Sequence, residues 1–153
     1  MMKKAVYVAI ISVPVALAGV IALRHQFPIG PIVLGLGLVP IVGLLLAKRR
    51  LMGAVPDMVF GALDTGLLVI PALWGGIAFG VAGAIAGGVI GDALTDAVAG
   101  FFEGSIAEWL RGRGIEESRE AITTALGKMS GCLLGAGMVL SFALLLGIKP
   151  EFG

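Results

Sequence analysis

From Ala5 to Leu23, and again from Pro28 to Ala47, the chain carries no charged side chain, and each run is long enough to cross a bilayer as a helix. Three further apolar runs follow, from about Ala54 to Trp74, about Phe79 to Glu103 and about Gly127 to Ile148. Hydrocarbon offers no water to an unpaired peptide group, so runs of this kind can only be helices. The spacing predicts an all-α, polytopic membrane protein with five transmembrane helices. Only 14% of residues are charged and 58% are hydrophobic, against about 25% charged in a soluble domain.

The runs divide the chain into an N-terminal transmembrane hairpin, residues 1–50, and a three-helix core, residues 51–153. Pro14 predicts a kink in the first helix, and Pro31 and Pro40 predict a broken second one. Ala16-Leu17-Ala18 resembles a signal-peptide cleavage site, but the apolar run continues past it to spanning length, so an uncleaved helix is expected. Trp74-Gly75-Gly76 reads as the turn between the third and fourth spans, with Trp74 and Phe79 at the membrane–water interface. Residues 105–126 alternate charged and apolar side chains. They read as a soluble or interfacial helical connector, broken at Gly112 and Gly114.

Charge orients the bundle. With the N-terminus inside, nine of the eleven basic residues fall on inner segments, and only Arg24 and Lys149 fall outside. That is the asymmetry of an N-in, C-out protein. Residues 1–50 contain no acid, whereas residues 51–110 contain no Lys, Arg or His and hold Asp57, Asp64, Asp92, Asp96, Glu103 and Glu108. The net charge of +1 gives no reason to expect a nucleic-acid partner.

A carboxylate at the centre of a transmembrane helix costs roughly 3 kcal/mol on insertion scales and is usually functional. Asp92, Asp96, Ala99 and Glu103 fall on one helical stripe, beside a second stripe of Gly80, Gly83, Gly87 and Gly91. If the third and fourth spans form a hairpin, Asp64, Asp92 and Asp96 meet near mid-membrane, and Asp57 and Glu103 mark a route to the inner surface. With no basic side chain to neutralise them, the acids are protonated, closed over a cation, or alternate between the two. Hard cations take oxygen ligands, and Thr65 and Thr95 add hydroxyls beside the acids. The bland alternatives are a first-turn role for Asp57 after Pro56, wetted Glu103 and Glu108, and glycine stripes that only pack.

Signs of catalysis are thin. A single His allows no Ser–His–Asp set, and no His or Cys cluster has zinc spacing. Cys132 is the one cysteine and reads as a small buried hydrophobe. The reading is therefore not an enzyme, with no cofactor beyond bound or transported cations.

Residues 54–148 resemble the transmembrane protein 65 family. The resemblance rests on Phe60-Gly61-Ala62-Leu63-Asp64, on Ile90-Gly91-Asp92-Ala93-Leu94-Thr95-Asp96, and on Leu126-Gly127-Lys128 leading into Gly131-Cys132-Leu133-Leu134-Gly135. It implies a three-helix membrane unit associated, in the mitochondrial inner membrane of animals, with sodium-dependent calcium efflux. Carried over, Asp64, Asp92 and Asp96 become candidate ion ligands. The family more often has Asn where this chain has Asp92, so the charge here departs from the pattern.

The expectation is a sodium- or proton-coupled divalent-cation exchanger, with Ca²⁺ first and Mg²⁺ next as cargo. The absence of an Arg- and Ser-rich transit segment points to a prokaryotic plasma membrane. The glycine faces at residues 76–91 and 127–135 suggest a homodimer in the lipid bilayer. A non-transporting assembly or regulatory subunit with protonated, buried acids is the alternative. A proton-coupled carrier of a small organic cation is a third reading, which requires a mid-membrane cavity lined by aromatics.

Overall fold

The computed structural model describes residues 2–113 and 120–148, and every regular element in them is a helix. These are α1 (Met2–Arg24), α2 (Ile29–Leu36), α3 (Leu38–Leu46), α4 (Leu51–Gly112) and α5 (Ala121–Leu145). Four stretches, Met2–Arg24, Ile29–Leu46, Leu51–Ala99 and Ala121–Leu145, are long and apolar enough to cross a membrane. The surface agrees with that. Large apolar side chains such as Ile10, Leu46, Val81 and Ile85 stand exposed, while the fully apolar interior is small. Lipid tails are as apolar as leucine, so an integral membrane protein gains little by burying such groups and packs through small residues instead.

α5 is the central helix. Gly127, Gly131 and Gly135 lie against Ala54, Met58 and Ala62, each step of four on one helix matched by four on the other, so α5 runs parallel to the start of α4. On its other side Gly137 meets Leu34, Leu134 meets Gly37 and Leu126 meets Gly43, so α2 and α3 run antiparallel to it. α1 completes the group: the Tyr7 hydroxyl donates to the Gly43 carbonyl at 2.6 Å, and Ser12 Oγ lies 3.6 Å from Met129 Sδ. Leu44, Ala54, Ile122 and Leu126 form the buried apolar cluster where these helices meet.

The break in the second span lies at Gly37, between the two prolines. The ring of Pro40 crowds the carbonyl four residues back, on Leu36, and that is where α2 ends. Ser130, fully buried on α5, donates its hydroxyl to the Gly37 carbonyl at 2.7 Å. Ser130→Ala removes that donor and should destabilise the chain by about 1 kcal/mol, read as a lower thermal midpoint in detergent. α1, by contrast, continues without interruption through Pro14.

α4 folds back on itself at one residue. Gly80 has φ 65° and ψ −151°, a region essentially reserved for glycine, and the helix on either side is otherwise regular. The first limb, residues 51–79, and the second, residues 81–112, lie antiparallel. Gly83 rests on Gly75, Gly87 on the Pro71 carbonyl, and Gly91 on Pro71 and Leu68. The turn expected at residues 74–76 is therefore five residues later. Trp74 and Phe79 both precede it on the first limb, edge to face at 6.1 Å. A β-carbon at Gly80 would meet nothing within 4 Å, so the cost of Gly80→Ala is conformational alone. We expect about 1–3 kcal/mol, again measured as a lower thermal midpoint.

Three other expectations change. α4 starts at Leu51, so Asp57 sits in its second turn and not in a first turn opened by Pro56. The connector divides: its first part extends α4 to Gly112, residues 121–126 open α5, and residues 114–119 lie outside the described residues. The glycine faces expected to receive a second copy are occupied within the chain, because tight helix pairing inside one protomer uses the same small residues.

Candidate functional site

The reversal at Gly80 places residues of the two α4 limbs side by side, and Asp64 comes to face Asp92 and Asp96. One carboxylate oxygen from each of the three lies within 4.8 Å of the others. Asp64 is sixteen residues before Gly80 and Asp92 twelve after it, or roughly 24 and 18 Å of helix from the bend. The group thus sits deep along the hairpin, well away from both its ends.

The three acids are not equivalent. Asp64 is 8% exposed, and its Oδ1 is buried without a hydrogen-bond partner. Asp92 and Asp96 are exposed on the second limb, whose outward residues Ile85, Val89, Leu94 and Val98 are apolar and exposed as well. Among the described residues the ion pairs are Lys4 and Arg49 with Glu120, so no basic side chain pairs with the three acids. Ionised carboxylates this close repel by roughly 3 kcal/mol per pair at an effective dielectric of about 20. A cation bound among them would offset that repulsion and give the buried Oδ1 of Asp64 a partner.

Other residues named from the sequence fall elsewhere. The Thr95 hydroxyl donates to the Asp92 carbonyl at 3.2 Å in its own helix, which leaves its oxygen lone pairs beside the acids. Thr65 is half-buried, one residue around the helix from Asp64. Asp57 lies apart, in a cleft at the other end of the first limb. Glu103 belongs to the helical backbone of α4, but its side chain, like that of Glu108, is outside the described residues. Cys132 is a free, half-buried thiol beside Gly61.

Lys4, Lys48, Arg49 and Arg50 gather at one end, while Arg24 closes the opposite end of α1. Lys4 Nζ and Arg49 Nη1 approach Glu120 at 3.4 and 2.6 Å, joining the starts of α1 and α5 to the turn after α3. At the end of α4, Arg113 stacks over Trp109 at 3.8 Å. A cleft of about 360 Å³ opens between the turn after α3, the first turns of α4 and the start of α5, and the sequence offered no sign of it beyond the basic run. Compared with protein-family models, with curated proteins and with solved structures, the chain matches none.

Proposed function

We propose that this chain is a membrane cation transporter, a sodium- or proton-coupled exchanger of divalent cations with Ca²⁺ as the first candidate cargo. One observation carries the reading: three carboxylates converge within 4.8 Å deep in an apolar hairpin, one with a buried, unpartnered oxygen. Such a group holds either a hard cation or protons, and exchange consists of alternating the two. A divalent ion offsets two of the three charges, and a proton or Na⁺ offsets the third. Asp64, held between helices, is the fixed ligand; Asp92 and Asp96 are the ligands that reach solvent or a partner. The resemblance to the transmembrane protein 65 family points the same way, and no catalytic role is assigned.

In this reading the two limbs of α4 each cross the bilayer, making five crossings, N-in and C-out, with the basic end in the cytoplasm of a prokaryote. Exposed Asp92 and Asp96 cannot face hydrocarbon without a cost of roughly 3 kcal/mol each. We therefore place the homodimer contact on the outward face of the second limb, since the glycine stripes are already used. Ca²⁺ takes 6–8 oxygens, more than three monodentate carboxylates supply, so a second copy or water completes the shell.

The test is ⁴⁵Ca²⁺ uptake into proteoliposomes of purified protein, with and without a Na⁺ or pH gradient. Gradient-dependent uptake supports the exchanger. Silence with Ca²⁺ and Mg²⁺ under both gradients would leave the non-transporting subunit as the better reading.

A further inference from the structure

The cleft at the basic end belongs to a different chemistry from the carboxylates. Its lining includes Lys48, Arg49, Arg50, Asp57, Thr123 and Thr124. Arg49 is committed to Glu120, whose two oxygens are taken by Arg49 and Lys4. Lys48 and Arg50 have no ion pair among the described residues, and neither does Asp57. The uncommitted groups of the cleft are thus two cations and one carboxylate, and the Lys4–Glu120–Arg49 group beside them is itself net positive. α5 begins directly beside it, at Ala121, with no side-chain cap on its first turn, so backbone N–H groups there lack helical partners.

Position narrows the ligand. Lys48 follows the apolar run Ile29–Leu46 and Leu51 opens the next, so the cleft sits where both runs leave the hydrocarbon. The anions met at that level are the phosphodiesters of lipid headgroups, and a net positive cleft favours a lipid whose headgroup is anionic overall. Lys48 is also held at φ 56°, as the left-handed residue that closes α3, with Arg49 N–H bonded to the Leu44 carbonyl at 2.9 Å. Glycine is the usual occupant of that position, so a lysine there is kept at some conformational cost. Gln26 ends α1 in the same conformation, so the strain alone marks no site; the cleft and its charge do.

We propose that this cleft binds the phosphodiester headgroup of an anionic membrane phospholipid, held by Lys48 and Arg50 with the Thr123 and Thr124 hydroxyls. The site is separate from the three-carboxylate group, and its test does not depend on transport. The full chain in detergent is incubated with phosphatidylglycerol, phosphatidylcholine or inorganic phosphate, and bound lipid is counted by native mass spectrometry. Phosphatidylglycerol should be retained over phosphatidylcholine. Lys48→Gly, which relieves the left-handed backbone, and Arg50→Gln should each weaken retention roughly fivefold. Asp57→Asn should strengthen it, a gain that misfolding cannot mimic. Equal retention of both lipids, unchanged retention in the two basic variants, or displacement of phosphatidylglycerol by millimolar inorganic phosphate would overturn the assignment.

Discussion

Asp64→Asn is expected to reduce gradient-driven Ca²⁺ uptake by at least about a hundredfold while leaving the chain folded. The substitution keeps the shape of the side chain and removes one charge from a group whose members lie within 4.8 Å of each other. A unit charge at that distance is worth roughly 3 kcal/mol at an effective dielectric of about 20, and about twice that toward a divalent ion. Every 1.4 kcal/mol is a factor of about ten, so the loss exceeds two decades. The sign on stability is opposite. Removing one of three mutually repelling carboxylates should not lower the thermal midpoint without cation, but the rise that Ca²⁺ confers on the wild type should vanish. Asp96→Asn should act alike, whereas Asp92→Asn is expected to behave as a coupling variant: uptake persists with altered dependence on the driving ion. A variant Asp64→Asn that transports normally would remove the carboxylate group from the mechanism.

The second large effect is steric. Gly131→Ala is expected to separate α5 from α4 and cost more than about 3 kcal/mol, at the upper end for overpacking. A β-carbon at Gly131 would collide with the Met58 carbonyl, a backbone atom that no rotamer change can move. Gly135→Ala meets the Ala62 carbonyl in the same way. Gly19→Ala is the control. A β-carbon there meets nothing within 4 Å, and alanine in a helix interior is favoured over glycine by about 0.5–1 kcal/mol. Thermal midpoints in detergent should thus fall for Gly131→Ala and rise slightly for Gly19→Ala. Equal effects would mean that the glycine stripe does not hold the two helices together.

Much of this was legible in the residues. Charge-free runs announce spanning helices, and the segregation of Lys4, Lys48, Arg49 and Arg50 from the acids of α4 is visible before folding. So was the meeting of Asp64 with Asp92 and Asp96, because two adjacent antiparallel helices joined by a short turn must bring such positions level. The position of the turn is not legible, since Gly75, Gly76 and Gly80 look alike in a sequence; only backbone geometry separates a glycine used for close packing from one used for its φ. The use of Gly127, Gly131 and Gly135 inside the protomer was hidden for a related reason: a small-residue stripe permits close approach without naming the helix that approaches.

What the chain determined by itself is therefore its solvent and its periodicities: helices of spanning length, a basic end, and carboxylates on one stripe. These follow from transfer free energies and from the 3.6-residue turn, both local properties. The tertiary structure alone decided that Asp64 is buried while Asp92 and Asp96 stay exposed, that Asp57 joins Lys48 and Arg50 in a separate cleft, and that Ser130 reaches the Gly37 carbonyl. Burial and partnership depend on which helix lies across from which, and that choice is made by contacts between residues far apart in the chain.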